Sequence, residues 1–430
     1  MVRGTGPDGL LAAVLLADDG HEVTVLGEGS AACHDLADND IPHHLLVPAV
    51  ARLLERETPA LAGALTALAG RQQSFEGRPG HSRSRGSGTE VHLLPSAAVR
   101  ETLAGAVQRH PSIRWLPDAG AESLIMGNEL RPDRPHVRGV LTDDGRALFT
   151  DVCVDAGQVP MDELLSAAGT HAGKDRVGRL ESRLYTRRFV PAANSDSPAP
   201  APSVALYGFD SLCVRVVRAS DTWTVTLCIG EGDEEMYSLA QPSVWDRVTA
   251  ALGPVLGLED AVPLQGVRTS TAARGMGRRM HMPTVPTVTG FASVGTAWAS
   301  SHPLYGPQFS LGALHAVVLR DALRDTRDAS AADRTDRFEE LTGAFVVPVH
   351  RRMLQWELRL RGRESAVTSP PPGGGRLSAV TQELLRWIDN MEDVTGTWRA
   401  AGPDRAHLVR LTDRKHSGVR NTRGRTSDAH

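Results

Sequence analysis

The glycines near the start of the chain have the spacing of a phosphate-binding turn. The segment "GTGPDG" places Gly4, Gly6 and Gly9 in a G-x-G-x-x-G pattern, and an apolar helix to about Ala17 and the strand "EVTVL" follow it. In this pattern the first glycine makes the tight turn, the second admits a diphosphate, and the third lets the helix pack on the strand. The segment therefore predicts half of a βαβ unit that binds a dinucleotide.

Two positions beside this turn depart from the usual pattern. A carboxylate that binds the adenosine ribose is expected at the end of the second strand, where Gly27 stands, and Glu28 follows one residue later. A shift of one residue turns a side chain to the other face of a strand, so ribose binding by Glu28 is a hypothesis. The strand before the glycines has only residues 1–3 available, and Arg3 stands where an apolar residue is expected.

A second candidate segment is "GFASVGTAWASSHPLYGPQFSLGALHAVVLRDAL", at residues 290–323. A helix that begins after "HPLYG" would point its N-terminal amides into a pocket, where they favour a negative or polarised ligand group. Candidate lining residues from this segment are Trp298, His302, Tyr305 and Gln308.

The stretch from Leu184 to Ile229 alternates between apolar and polar residues, as in "LYTRRFV" and "LCVRVVRA". This alternation predicts an antiparallel sheet with one solvated face. The sheet and the βαβ lobe are expected to enclose a large apolar cavity for a small molecule. Candidate residues from the sheet are Tyr185, Arg187, Tyr207, Trp223 and Thr226. The alternatives are that Arg187 and Arg188 are solvent-facing charges and that Trp223 is a core residue.

Composition excludes several classes of function. The chain has 430 residues, 41% of them hydrophobic, which predicts two packed lobes. Its 47 basic and 51 acidic residues are interspersed, so no nucleic-acid partner is expected. No apolar run approaches the ~18 residues that span a bilayer, and no leader pattern opens the chain, which favours a cytoplasmic protein without membrane contact. The four cysteines have no C-x-x-C spacing and are interpreted as structural thiols, and no metal-ligand cluster is present in the sequence.

Five segments resemble, in order, FAD-dependent monooxygenases of the p-hydroxybenzoate hydroxylase-like fold. Besides the two segments quoted first, they are "IPHHLLVPAVARLLERETPALAGALTALAG", "LLPSAAVRETLAGAVQRHPSIRW" and "DVCVDAGQVPMDELLSAAG". The chain is most similar to the branch of bacterial polyketide pathways that includes epoxidases and flavoproteins that form rings by [4+2] cycloaddition. The resemblance covers about residues 1–330.

The resemblance implies an α/β fold, in which a Rossmann-type βαβ lobe carries an inserted, mainly antiparallel sheet lobe and C-terminal helices. The expected divisions are a discontinuous FAD-type lobe at 1–180 and 280–330, a substrate lobe at 181–279, C-terminal helices at 331–405 and a disordered tail at 406–430. The ligand expected from the resemblance is a polyketide-like small molecule, and the oligomeric state is left open.

The resemblance also assigns cofactor contacts, several of which are altered. The family aspartate on the flavin ribityl chain corresponds to Thr296, after Gly295. The family turn Pro-x-x-Gly-x-Gly keeps its first glycine as Gly306 but has Gln308 in place of the second. The loop 29–44 lacks the family arginine, although His43 and His44 match a region that often has a histidine near the cofactor. The cofactor-binding residues that the resemblance implies are Gly4, Gly6, Gly9, Glu28, Gly295, Thr296 and Gly306. The altered positions predict a lost or weakened flavin site, and hence either no cofactor or weakly bound FAD.

Three functions follow from this pattern. The first is a non-redox cyclase of a polyketide, performing a [4+2] or hetero-[4+2] cycloaddition, for which orientation alone can supply ~7–11 kcal/mol. The second is an FAD- and NAD(P)H-dependent hydroxylase or epoxidase of a polyketide or aromatic substrate. The third is a non-catalytic binding homologue. The candidate catalytic residues are Tyr185, Tyr207, Trp223, Trp298, His302, Tyr305 and Gln308.

Overall fold

A computed structural model gives the structure of the chain. It describes residues 1–27, 43–69, 73–75, 90–157, 161–169, 174–175, 182–192, 203–208, 212–218, 222–230, 234–256, 258, 261–270, 280–281, 288–299 and 308–353. The helices within these ranges are α1 (Pro7–Asp18), α2 (Pro48–Glu57), α3 (Pro59–Leu68), α4 (Ser96–Arg109), α5 (Asp162–Ala167), α6 (Pro242–Leu256), α7 (Gln308–Asp325) and α8 (Ala331–Leu341).

The strands follow the same chain order. They are β1 (Val2–Arg3), β2 (Val23–Leu26), β3 (His43–Leu46), β4 (Gln73–Phe75), β5 (Glu90–Pro95), β6 (Ile113–Leu116), β7 (Ala121–Arg131), β8 (Arg134–Thr142), β9 (Ala147–Phe149), β10 (Cys153–Asp155), β11 (Lys174–Asp175), β12 (Ser182–Pro191), β13 (Ser203–Gly208), β14 (Leu212–Arg218), β15 (Trp223–Gly230), β16 (Ala261–Pro263), β17 (Arg268–Ser270), β18 (Met280–His281) and β19 (Phe291–Ser293).

The first lobe is built on a parallel sheet in the order β19-β10-β1-β2-β6. The two-residue strand β1 lies in its centre, paired in parallel with β10 on one side and β2 on the other. Helix α1 connects β1 to β2 and is buried from Asp8 to Ala17, because β-strands, α4 and α7 pack around it. This arrangement confirms the βαβ unit and the α/β fold class predicted from the sequence.

Arg3 is accommodated in this sheet by a buried acid on the next strand. The register places Arg3 opposite Asp155, and Arg3 Nη1 lies 2.9 Å from Asp155 Oδ1. The Asp155 carboxylate also accepts hydrogen bonds from the backbone N–H groups of Gly157 and Met161. Burial raises the pKa of Asp155 and the Arg3 charge opposes that shift. The apolar residue expected at position 3 is therefore replaced by a compensated charge pair.

The second sheet is mainly antiparallel, with the strand path β16-β12-β15-β14-β13-β4-β5-β3 and β17 paired to β12. One face packs on α6 around Trp245, and Leu184 and Val217 on the opposite face belong to the core of the first lobe. The prediction of one solvated face is therefore wrong, because α6 covers one side and the first lobe covers the other. The predicted alternation is present, but Thr186, Arg215 and Thr226 on the lobe-facing side are buried, whereas Arg188 on that side is exposed, as its solvent-facing alternative predicted.

Helix α7 fixes the second sheet to the first lobe. Ser310 in its first turn donates a hydrogen bond to the Leu45 carbonyl at 2.7 Å and accepts one from the Val47 N–H at 3.1 Å. Helix α8, which begins at a Ser330–Asp333 capping box, packs on α7 and continues into a π-helical turn at Thr342–Val346. Within the described ranges, no helix is long and apolar enough to cross a membrane.

Candidate functional site

The glycine turn has the backbone shape that a diphosphate needs. Gly4 has φ +119°, and a Cβ at this position would lie 2.7 Å from the Ala156 backbone. A Cβ on Gly9 would lie 2.3 Å from the Gly4 carbonyl oxygen, whereas a Cβ on Gly6 would meet no described atom within 4 Å. Helix α1 begins after Gly6 without a side-chain cap, so its first amides are not capped by a described side chain. The open side of Gly6 thus faces the positive end of the helix.

The position at the end of β2 holds no side chain for a ribose. A Cβ on Gly27 would lie 1.8 Å from the Pro117 carbonyl oxygen, so only glycine fits there. Ribose contacts from this strand end would have to come from residues after it, and Glu28 lies outside the described residues.

Asp8, inside the glycine turn, is bound to the segment that the resemblance assigns to the ribityl chain. Its Oδ2 accepts hydrogen bonds from the Thr296 N–H at 2.9 Å and from the Thr296 hydroxyl at 2.8 Å. Burial raises the pKa of Asp8 to about 6, while the two Thr296 hydrogen bonds oppose the shift. Among the residues that the structure describes, no cation contributes to the pKa shift of Asp8.

Two glycines make room for the Asp8 carboxylate. A Cβ on Gly295, which has φ +58°, would lie 2.3 Å from Asp8 Oδ2. A Cβ on Gly312, in α7, would lie 2.1 Å from Asp8 Oδ1. The carboxylate therefore sits where α1, the 3-10 turn Gly295–Ala297 and α7 meet.

Two of the predicted residues, Gln308 and Trp298, pack around the turn Gly295–Ala297. Gln308 Nε2 donates to the Ala299 carbonyl at 2.9 Å and approaches Thr296 Oγ1 at 3.4 Å. Trp298 is buried edge-on against the ring of His315, with centroids 4.8 Å apart. His315 Nδ1 accepts from the Gly295 N–H at 3.3 Å, and burial lowers the pKa of His315 to about 3, so this imidazole is neutral. Gln308 and Trp298 thus support the turn that carries Thr296.

The sheet residues predicted to line the cavity lie elsewhere. Tyr185 and Trp223 are buried in the core between the sheet and α6, on the face away from the first lobe. Arg187 is directed to the same side, where it pairs with Asp246 of α6. The alternation could not show which face of the sheet meets the first lobe. Tyr207 lies on β13 opposite Val214; its side chain lies outside the described residues, as do His302, Tyr305 and Gly306.

A buried cation on the lobe-facing side was not singled out from the sequence. Arg215 of β14 is 4% exposed, and its Nη2 donates to the His43 carbonyl at 3.2 Å. Its Nε has no hydrogen-bond partner among the described residues, and neither do His43 Nδ1 and His44 Nε2. No acidic side chain of the described residues offsets the Arg215 charge, and burial alone lowers its pKa to about 10. Orphaned polar atoms of this kind indicate water or a polar ligand between them.

The charges of Arg215 and Arg188 make this region electropositive, and burial together with these charges keeps the neighbouring histidines neutral. Burial first, and the Arg215 charge second, lower the pKa of His43 to about 3 and that of His44 to about 4, and Arg188 adds to the effect on His43. The His44 ring lies 5.4 Å from that of Phe309, at the start of α7. The strand pairing places Thr226 beside Arg215 and Thr186 beside Thr226, and the hydroxyl groups of the two threonines are 3.1 Å apart. The sequence signal for Arg215 is its place between Val214 and Val216, which puts it on the opposite face from them.

A separate surface cavity of about 300 Å³ lies at the other end of the parallel sheet, between Met1, Asp19, His21 and Arg327. Ligands of open α/β sheets bind outside the carboxyl ends of the strands. Because this cavity lies at the amino ends of β1 and β2, it is not part of the candidate site. No metal-binding cluster of His, Cys, Asp and Glu occurs in the described part of the chain.

A dinucleotide cofactor fits this site at its diphosphate. The open side of Gly6 and the uncapped start of α1 offer the cradle, and Gly4 and Gly9 hold its shape. Toward the ribityl end, Thr296 could bind one hydroxyl group, and its two donors are directed at Asp8. The glycine turn therefore fits the diphosphate, whereas at the ribityl end both Thr296 donors are already bound to Asp8.

No protein-family model and no curated protein matches the sequence. Solved structures do match. A probable FAD-dependent monooxygenase, PqsL from Pseudomonas aeruginosa, is 17% identical over 90% of this chain and 98% of its own, with a TM-score of 0.61. The p-nitrophenol 4-monooxygenase PnpA from Pseudomonas putida DLL-E4 is 17% identical over 91% and 97%, with a TM-score of 0.58.

A third similar structure is 2-methyl-3-hydroxypyridine-5-carboxylic acid oxygenase, which is 14% identical over 86% of this chain and 93% of its own, with a TM-score of 0.58. Another structure of PqsL is a complex with the small molecule 2-aminobenzoylacetate. At these identities the similarity concerns the fold. The chain has the α/β fold of FAD-dependent monooxygenases, with a Rossmann-like parallel-sheet lobe, antiparallel sheets and C-terminal helices.

Proposed function

We propose that the chain is an FAD- and NAD(P)H-dependent monooxygenase that hydroxylates or epoxidises a small organic molecule with an acidic oxygen, such as a polyketide enol or an aromatic acid. The observation that carries this proposal is Arg215. It is a buried guanidinium without an acidic partner among the described residues, at the boundary between the two lobes. A buried charge is costly unless it is paired, so the site favours an anionic ligand that pairs with it.

The fold and the glycine turn support the cofactor part of the proposal. Similar structures include monooxygenases and an oxygenase of small aromatic molecules. In this chain the turn of Gly4, Gly6 and Gly9 would hold the FAD diphosphate, and Thr296 would face the ribityl chain. Bound FAD supplies activation of dioxygen for transfer of one oxygen atom, with NAD(P)H as the reductant.

The chain's own residues bind and polarise the substrate. Arg215 would hold an enolate, phenolate or carboxylate and favour its ionised form, which raises the electron density of the carbon to be oxygenated. His43 and His44 are neutral, so each can donate or accept a hydrogen bond without adding charge. Phe309 offers an apolar surface beside His44. Orientation between these groups would fix which carbon faces the cofactor.

The test is a turnover assay with the purified full chain, saturating FAD, NADPH or NADH, and a panel of aromatic acids and enolic polyketides. We expect substrate-dependent consumption of reductant and oxygen, with a product heavier by one oxygen atom. Neutral analogues, in which the acidic oxygen is methylated, should stimulate little consumption. Product formation that needs neither reductant nor oxygen would contradict the proposal.

A second function is favoured by the contacts of Thr296. Since its N–H and hydroxyl donate to Asp8, and Gln308 approaches its oxygen, this turn is satisfied without a flavin. We propose as the alternative a non-redox cyclase that folds an unsaturated polyketide between the lobes and polarises its carbonyl with Arg215. Cyclisation by the protein without FAD would support it. Binding of the same polyketide without conversion would instead support a non-catalytic homologue.

A further inference from the structure

The position of Asp8 places a negative charge at the start of the helix that would bind the diphosphate. It is the second residue of α1 and lies between Gly6 and Gly9. Its carboxylate is buried, and within the described residues its hydrogen-bond donors are the N–H and hydroxyl groups of Thr296. The partial positive charge of the α1 N-terminus favours an anion in this region. The chain therefore supplies an anion of its own where a bound dinucleotide would bring one.

The packing shows that the carboxylate is built into the fold. Gly295 and Gly312 come from segments far from Asp8 in the sequence, and any Cβ at either position would overlap an Asp8 oxygen. Gly295 also has φ +58°, a conformation that favours glycine. Helix α1, the turn Gly295–Ala297 and α7 thus leave a space that fits the Asp8 carboxylate.

We propose that Asp8 sets the affinity of the dinucleotide site, so that FAD binds weakly and exchanges with solution instead of remaining with the protein. This inference rests on the proposed FAD-dependent function. The Asp8 charge repels the two negative charges of the diphosphate, and this repulsion is weakly screened because the Asp8 carboxylate is buried. The carboxylate also competes for the Thr296 donors that a ribityl hydroxyl group would otherwise use.

The test is a titration of FAD into the full chain, followed by quenching of flavin fluorescence and by the flavin retained after dialysis. Asp8→Asn keeps the shape and removes the charge, and Asp8→Ser also frees the Thr296 donors. We expect both variants to bind FAD at least ~10-fold more tightly than the wild type, a difference of about 1.4 kcal/mol. Asp18→Asn is the matched control, because it removes one negative charge from the other end of α1, and its Kd should equal that of the wild type.

The outcomes separate this inference from the proposed function. Tight binding by the wild type, with Kd values for Asp8→Asn and Asp8→Ser within twofold of it, would overturn the role of Asp8 and leave the FAD-dependent function standing. An absence of FAD binding in the wild type and in both variants, all folded by circular dichroism, would overturn both. If Asp8→Asn fails to fold, Asp8→Ser decides the question by the same criterion.

Discussion

The hydroxyl group of Thr296 donates a hydrogen bond to the carboxylate of Asp8 over 2.8 Å, although 288 residues separate them in the sequence. This contact ties the glycine turn to the segment before α7. It also buries a carboxylate whose charge has no cationic partner among the described residues, so the ionised form is unfavourable.

The stability of the protein should therefore depend on the charge of Asp8. The pKa of its carboxyl group is raised from 3.8 to about 6 in the folded state. Ionisation then destabilises the folded state relative to the unfolded chain, by an amount that grows between pH 3.8 and about 6 and is constant above that pH. Asp8→Asn should raise the free energy of unfolding at pH 7.5 by up to about 3 kcal/mol. Urea unfolding at pH 4 and pH 7.5 measures this, and an equal effect at both pH values would contradict it.

Gly312→Ala should be destabilising, because its new methyl group would overlap Asp8 Oδ1. Overpacking of this kind costs about 1–3 kcal/mol. In an Asp8→Ala background the carboxylate is gone, so the same change should cost much less. Gly63→Ala in α3 is the matched control and should be neutral or slightly stabilising, because no described atom lies within 4 Å of the methyl group that it would add. Thermal unfolding of these variants gives the coupling free energy between positions 8 and 312. Additive effects of the two substitutions would rule out the contact between the methyl group and Asp8.

Arg215→Gln should weaken binding of anionic substrates and leave neutral analogues unaffected. The variant removes the charge but retains a polar side chain, so the expected loss is ~10- to 100-fold in kcat/KM for the acid. Arg183→Gln is the control, since Arg183 lies on the same sheet and stacks over Tyr237 instead of facing the histidines. Equal losses for charged and neutral substrates, or for both variants, would show that Arg215 acts only through the fold.

Arg3→Met should destabilise the first lobe by about 3–5 kcal/mol, because it leaves Asp155 buried without its counter-charge. The exposed pair of Arg131 and Asp333 provides the comparison, and Arg131→Met should cost less than about 1 kcal/mol. The free energy of unfolding in urea measures both. A cost for Arg3→Met no greater than that for Arg131→Met would show that the buried pair contributes little.

The sequence predicted those features that depend on neighbouring residues. The turn of Gly4, Gly6 and Gly9 follows from local spacing and turn chemistry, and it is found in the structure. The contact of Asp8 with Thr296 could not be predicted in this way, because it depends on how α7 packs across α1.

The sheet shows a second limit of sequence patterns. Tyr185 and Trp223 were predicted to line the cavity together with Thr226, but the packing of α6 puts Tyr185 and Trp223 on the face away from the first lobe. Arg215 could have been selected once that side was known, since it alternates with Val214 and Val216. The physical reason is that the period of two in a strand gives two equivalent faces until a partner covers one.

The Ser310 hydroxyl, which accepts from the Val47 N–H and donates to the Leu45 carbonyl, also has a mechanical consequence. Through these two hydrogen bonds, one oxygen atom joins the strand that carries His43 and His44 to the first turn of α7. A ligand that displaced the first turn of α7 would therefore also displace the strand that carries the two histidines.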